Sequence, residues 1–391
     1  MLNTLVSVLW FLLIFCIVVI SHEMGHFLIA KANGIHVVEF FIGFGPTLIK
    51  WNRGGTKYSI KLLPLGGACV FEGEDDPEDT LKNAGKGKPV SENAAYGSEG
   101  SKADSEKTES SETVKSGQNK KYGSSFTEAS AWRRLAVIIA GPFFNIVLGF
   151  IIAFIMVNLV AIRDPVATEI IPGGAAEEAG LLPGDRIISM NGQRICLYED
   201  IVLFNALSDH KNVLVVYERD GERKSAVLVP KYDEEEGRYL IGIANSSFVE
   251  LKGLDAFKYT WYEMRYNFKM TYGSLFMLVR GRVKTTDVSG PVGIAVNVVG
   301  ETYAQTKQYG FSTVFVNMLN IALMLTVNLG VLNLLPIPAL DGGRLIFILL
   351  EIIRGKPVPR DKEALVHFIG MIFFIILIVL VFFNDIRNIF F

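Results

Sequence analysis

The chain has 391 residues, half of them hydrophobic, with 38 basic and 40 acidic side chains and a formal net charge of -2. This is the composition of a membrane protein with room for two or three domains, and without a global basic field no nucleic acid partner is expected. Three cysteines, Cys16, Cys69 and Cys196, are too few and too scattered for a disulfide framework or a thiolate metal site.

Residues 1–31 form an almost uninterrupted apolar run. A helix from Leu2 to Ala30 would be roughly 40 Å long at about 1.5 Å per residue, more than the roughly 30 Å hydrocarbon core, so this is the first predicted span. No basic residue precedes it and no small-x-small cleavage site follows it, which favours a retained anchor over a cleaved signal peptide. Near its end stands His22-Glu23-Met24-Gly25-His26. Two histidines four apart fall on one helix face and can reach one metal ion, while Glu23 can take a proton from a metal-bound water. This is the HExxH pattern of a zinc metalloprotease. Ionisable groups in an apolar segment are costly, so the cluster persists there only if paired or metal-bound.

Residues 36–71 are expected to form a membrane-associated β region. Lys57 to Val70 alternates polar and apolar residues, breaks at Pro64 and Gly66-Gly67, then resumes as a hairpin would; Phe40 to Pro46 supplies a further strand. Leu62, Leu63, Gly66 and Gly67 are its candidate substrate-binding residues, since an apolar edge accepts an extended peptide by strand addition. A loop that merely packs on the bilayer surface remains the alternative. Residues 72–130 are dominated by Ser, Glu, Lys, Gly and Asn, and are expected to be a disordered cytoplasmic insertion, or a regulatory tail.

A second span is predicted over 132–162 and an extramembrane domain over 164–246. Within the latter, Gly180-Leu181-Leu182-Pro183-Gly184-Asp185-Arg186-Ile187 and Asn191-Gly192 resemble the GLxxGDxI and NG signatures of a bacterial PDZ domain. That resemblance implies an α+β domain with its ligand-facing strand late in the sequence, making Leu240, Ile241, Gly242 and Ile243 the candidate peptide edge. A size filter that holds no peptide is the alternative. Residues 252–310 contain an aromatic and basic stretch, Tyr259 to Arg280, that reads as an amphipathic interfacial helix. Third and fourth spans follow over 312–336 and 363–384, separated by a short segment over 337–362. Asn145, Asn158, Asn317, Asn320 and Asn328 inside spans are expected to bond between helices, and His367 to be a satisfied bundle histidine.

Lys31, Lys50, Arg53, Lys57 and Lys61 follow span one, Lys120, Lys121, Arg133 and Arg134 precede span two, and Arg354, Lys356, Arg360 and Lys362 lie between spans three and four. By the positive-inside rule these loops are cytoplasmic, with both termini and the 164–246 domain on the other side.

Two histidines leave a catalytic zinc short of one protein ligand. His36, ten residues after His26, misses the six-residue spacing of the soluble metzincins, and Glu39 is poorly placed. Far downstream, Asn333-Leu334-Leu335-Pro336-Ile337-Pro338-Ala339-Leu340-Asp341-Gly342-Gly343 ends span three with two helix-breaking prolines and leaves an Asp on unwound backbone. Together with the HExxH, the GFGP and PLGG loop, Ala140-Gly141-Pro142-Phe143-Phe144-Asn145 and Ser289-Gly290-Pro291-Val292-Gly293, this resembles the site-2 family of intramembrane zinc metalloproteases, peptidase family M50, in its bacterial form with one PDZ domain between spans two and three. The match covers nearly the whole chain; the 72–130 insertion is a departure.

The resemblance implies a polytopic α-helical membrane protein of four transmembrane helices, with the β-hairpin region and the inserted α+β PDZ domain, in a bacterial cell (inner) membrane. It implies one Zn(2+) per chain held by His22, His26 and Asp341, with Glu23 as the catalytic base and Asn333 and Pro338 at the substrate. The implied partners are the lipid bilayer and single-span membrane protein substrates, such as an anti-sigma factor or a signal-peptide remnant. A non-catalytic PDZ-bearing receptor is disfavoured by an intact Glu23, and a transporter component by the lack of paired repeats.

Overall fold

The computed structural model describes residues 2–73, 123–208, 211–234, 238–283 and 288–390. Most of the expected insertion, 74–122, lies outside them. Helix α1 (Leu2–Ala32) is followed by strands β1 (Val37–Arg53) and β2 (Thr56–Phe71) and helix α2 (Ala131–Leu159). An α+β domain comes next: β3 (Ile162–Ile170), α3 (Ala175–Glu178), β4 (Arg186–Met190), β5 (Gln193–Arg194), α4 (Tyr198–Leu207), β6 (Val213–Arg219), β7 (Glu222–Leu228), β8 (Lys231–Asp233), β9 (Arg238–Leu240) and β10 (Ile243–Val249). Helix α5 (Asp255–Val279) leads to α6 (Pro291–Gly293), a π-helical stretch Ile294–Gly300 and α7 (Glu301–Thr306); α8 (Phe311–Leu334), α9 (Asp341–Arg354) and α10 (Arg360–Phe390) complete the chain. Among the described residues α1, α2, α8 and α10 are long and apolar enough to cross a membrane. The chain divides into two compact units, residues 26–137 and the remainder.

The smaller unit corrects two expectations. β1 and β2 meet at a Gly54-Gly55 turn with positive φ at both glycines, so Lys57 to Val70 is one long bent strand and not a hairpin by itself. Bending at Gly43, Gly45 and Gly66, all with positive φ, lets Val37–Ile42 pair with Gly67–Phe71 on one side and lie beside Lys57–Ile60 on the other. The stretch Gly67–Phe71 is therefore an edge of this small sheet. Phe27 packs on Phe40 and Tyr58 with ring centroids 5.2 and 5.9 Å apart. The end of the expected insertion is folded: Ser124 exchanges backbone hydrogen bonds with Gly34 and His36, and Phe126 stacks on Phe71 at 5.0 Å. The Phe126 ring, set against Phe71, and the open backbone of Gly34 to His36 supply burial that the polar composition of the segment does not reveal.

In the larger unit, apolar faces of α1, α2 and α8 share a core of Phe11, Ile14, Val18, Ile152, Ala153, Leu323 and Val327. α2 stops at Leu159 because Ile162 already opens β3, so the second span is shorter than 132–162. The α+β domain has strand order β10-β3-β4-β6-β7 with β5 on β4, over a core that includes Leu181, Ile187, Met190, Ile201 and Val215. Asn191 and Gly192, at φ 45° and 77°, make the tight β4–β5 turn that left-handed conformations demand. The terminal strands of the sheet are β10, Ile243–Val249, and β7, and the later of them, β10, corrects the expected peptide edge. Leu240 belongs to β9, paired with β8, while Ile241 and Ile243 are buried in the domain core. Gly242, at φ 84°, spends its carbonyl on the Ile171 N–H. Only Ile243 lies on the edge strand.

Helix α5 buries one face and leaves Phe257, Trp261, Tyr272 and Phe276 exposed. Met264 is buried in the core of the spans, and Thr271 Oγ1 donates to Asn328 Oδ1 of α8. Its other side meets α4, where Leu207 fills the space above Gly273. Thr260 and Asn267 give their polar hydrogens to carbonyls one turn back, which allows that face to be buried despite its polar composition. Asn158 and Asn317, expected to bond between helices, likewise donate within their own helices.

Candidate metal centre

Helix α1 continues unbroken through His22 and His26, so the two rings project one turn apart on one side. His22 Nε2 stands 3.0 Å from Asp341 Oδ2, and the ligand atoms of His22, His26 and Asp341 all lie within 4.8 Å of one another. Zinc bonds of about 2.0 Å in tetrahedral geometry put neighbouring ligand atoms roughly 3.3 Å apart, so the three donors present are close to the separation that zinc requires. Both histidines are buried.

The surroundings prepare the rings. His26 Nδ1 lies 2.8 Å from the Val137 carbonyl, which only accepts, so Nδ1 carries the proton and Nε2 keeps its lone pair for a metal. Asn145 of α2, fully buried, lies with its amide nitrogen 3.5 Å from His22 Nδ1, and its Oδ1 is buried without a hydrogen-bond partner. Turning that amide over would let Oδ1 accept a proton from His22 Nδ1, selecting the tautomer with Nε2 open to metal. The orphaned oxygen thus fits a bound cation. Thr326 Oγ1 of α8 donates to the Asn145 backbone carbonyl at 3.1 Å. Sequence reasoning gave Asn145 only as an interhelical amide; the structure sets it against the His22 ring.

Close backbone packing holds the rest. A Cβ on Gly25 would stand 2.3 Å from the Ala140 carbonyl oxygen, so α1 and α2 touch within the HExxH motif at a position the motif leaves free. Asp341 opens α9 after the extended residue Leu340, and a helix N-terminus favours a carboxylate. The two glycines after it are forced: a Cβ on Gly342 would lie 1.9 Å from the Leu335 carbonyl oxygen, and one on Gly343 2.6 Å from that of Ile337. Pro336 and Pro338 interrupt the helix, and Ala339 takes φ 76° between α8 and α9.

Asn333 is buried on the last turn of α8, in the same break as Asp341, and Pro338 packs its backbone against Gly343 and Gly370. Glu23 is half-buried beside His22 on α1. Leu62 and Leu63 are exposed on β2; Gly66 lies under the Phe44 ring and Gly67 pairs with Ile42. These four lie in the sheet of the smaller unit, and His36, with its ring nitrogens 2.8 Å from Glu72 and 3.0 Å from the Gly55 carbonyl, is a structural tie there rather than a ligand.

Farther along, a cavity of about 660 Å³ is lined by residues of α4 and α5. On its wall Asp200 is paired with Lys269 at 3.0 Å and Arg265 at 3.5 Å. Nearby Glu263 is pushed up to about 7 by burial and by the Glu199 and Asp200 carboxylates.

Residues 10–377 match the profile of Peptidase family M50. The zinc metalloprotease RasP of Bacillus licheniformis is 33% identical across 98% of this chain and 99% of its own length. The regulator of sigma-W protease RasP of Bacillus subtilis is 34% identical with 98% and 99% covered. A putative zinc metalloprotease of Clostridium acetobutylicum is 31% identical over 96% of each chain.

Proposed function

The chain belongs to peptidase family M50, and from that premise we propose that this zinc metalloendopeptidase cuts single-span membrane proteins within their membrane segment, using His22, His26 and Asp341 as metal ligands. The observation that carries the reading is the convergence of two histidines from one apolar helix with an aspartate from the break after another. Zinc, when bound there, supplies Lewis acidity toward the scissile carbonyl and the attacking water. Glu23 takes the proton from that water and returns it to the leaving amine, the role its place beside His22 suits. Asn145 and the Val137 carbonyl hold the two rings in the metal-binding tautomers. Asn333 holds the substrate backbone or the developing oxyanion, and Pro338 lines the same break.

A peptide bond inside a membrane helix is hydrogen-bonded and hidden, so the substrate is unwound before cleavage. The edge stretch Gly67–Phe71 is suited to receive it as an added strand, with Leu62, Leu63, Gly66 and Gly67 at the bend. The domain over 162–249 is a PDZ domain in this reading, supported by its GLxxGDxI and NG turns, and its β10 edge is available to a peptide end. By the positive-inside rule the basic loops support a metal centre toward the cytoplasmic side and an extracytoplasmic position for that domain. Substrates resembling an anti-sigma factor or a signal-peptide remnant fit a single cut of this kind; a Bacillus subtilis relative bears the name regulator of sigma-W protease.

Zinc content and cleavage of a single-span test substrate, measured for wild type, Glu23→Gln and His22→Ala, test the reading. We expect Glu23→Gln to keep its zinc and lose cleavage by at least about 10²-fold, and His22→Ala to lose both. Removal of zinc with a chelator should stop cleavage and re-addition restore it. Undiminished cleavage by metal-loaded Glu23→Gln would end the proposal.

A further inference from the structure

We propose that His367, on α10, is a positioning residue for the metal centre: its Nδ1 holds the Ala339 N–H and so fixes the loop that presents Asp341. The inference rests on Asp341 being a zinc ligand.

The loop from Pro336 to Leu340 has little structure of its own to hold it. Two prolines remove donors, and Ala339 sits at φ 76°, a conformation that costs an L-residue roughly 1–2 kcal/mol. Such a backbone persists only where its surroundings impose it. The Ala339 N–H donates to His367 Nδ1 at 3.2 Å, two residues before Asp341. His367 Cε1 would lie 3.2 Å from a Cβ on Gly343, so the ring also borders the first turn of α9, and Phe347 of that helix packs against it at a tilt of 53° with centroids 5.6 Å apart. One turn along α10, a Cβ on Gly370 would meet Pro338 Cβ at 2.3 Å. The fourth span therefore grips this loop at two adjacent points.

Most of α10 exposes its side chains, from Leu365 to Phe383, so the grip is local. Because Nδ1 accepts, the ring proton is on Nε2, and that atom is buried without a hydrogen-bond partner. A lone buried donor costs roughly 1–3 kcal/mol. A histidine kept only for packing would be replaced at no loss by an apolar ring, whereas one that must offer Nδ1 to Ala339 has to tolerate that cost.

The test compares His367→Phe, which keeps a ring and removes the acceptor, with His367→Asn, whose Oδ1 can occupy the place of Nδ1. Zinc content after dialysis, the absorption spectrum of the cobalt-substituted protein, and kcat and KM on a single-span test substrate are read for each, with Asp341→Asn as reference. We expect His367→Phe to bind zinc and turn over about 10- to 100-fold more weakly, with KM unchanged and an altered cobalt spectrum, and His367→Asn to stay within about threefold of wild type by the same scale. The inference is overturned if His367→Phe matches wild type, or if His367→Asn is as impaired as His367→Phe. If Asp341→Asn itself keeps full zinc and activity, it is the ligand assignment that fails, whatever His367 does.

Discussion

The metal centre and the α+β domain of the larger unit are held together by opposite means. Around the metal ligands, backbones approach each other directly: Gly25 on Ala140, Gly330 on Pro142, Gly342 on Leu335. In the domain, charges are paired: Asp185 with Arg219 at 2.7 Å and Asp164 with Arg186, with Asp200 reaching out to Lys269 of α5 at 3.0 Å. The difference follows from the solvent. Among apolar helices in lipid no hydrophobic gain distinguishes one contact from another, so close packing at small residues decides geometry. In water, a buried carboxylate is tolerable only with a cation and backbone donors. Even the buried Asp385 near the end of α10 obeys the membrane rule, accepting from the Gly290 and Gly293 N–H groups at 2.8 Å each.

The sharpest way to break this contrast is Gly25→Ala. In an isolated helix the change is favourable by about 1 kcal/mol. Here the new methyl meets a carbonyl oxygen, and overpacking costs typically about 1–3 kcal/mol. We expect a lower melting temperature and a tenfold or greater loss of zinc-dependent cleavage; a variant as stable as wild type would show that α1 and α2 are not locked at this point.

Asp185→Ala probes the other region. Its carboxylate accepts from Arg219 and from the Leu182 N–H at 2.8 Å, and Arg219 also reaches the Gly180 carbonyl. Losing these should destabilise the domain by roughly 2–3 kcal/mol while zinc content stays that of wild type, a split read by limited proteolysis and metal analysis. Burial by itself would raise the Asp185 pKa, but the Arg219 and Leu182 hydrogen bonds outweigh it and hold the carboxyl below its ordinary value. The stabilisation is thus present above the ordinary carboxylate range and disappears as pH falls through the depressed folded value.

The smallest effect is expected at Glu263, whose pKa runs the other way, from an ordinary 4.5 to about 7 in the fold. Between these values the unfolded chain has released a proton that the folded chain keeps, so stability falls as pH rises through this window and levels off above about 7. Glu263→Gln should therefore raise the melting temperature at pH 8 by a few degrees and leave it unchanged near pH 4. Equal shifts at both would mean that the carboxylate is not the cause.

Much of the architecture was legible because each signal is local. Apolar length marks the four spans, and the four-residue interval of His22 and His26 means the same thing in any regular helix. The HExxH pattern left Gly25 as a free position, since nothing in the motif reveals that a neighbouring backbone passes within touching distance. Leu240 to Gly242 resemble an edge in sequence because the residues before β10 carry the same apolar pattern as β10 itself, and pattern cannot tell a core-filling approach from an open strand. Within Tyr259 to Arg280 the sequence does not mark the buried face, because polar residues that bond back to their own helix look no different in sequence from polar residues that face water.

The sequence by itself determined which residues could bind metal and activate water, because that capacity belongs to side-chain chemistry and helical spacing. Only the tertiary structure decided that Asp341 arrives 3.0 Å from His22, that Asn145 stands behind that ring, and that His367 grips the Asp341 loop. The first two placements join segments more than a hundred residues apart and the third joins residues 28 apart; all three depend on where interrupted helices pack, which no local pattern encodes.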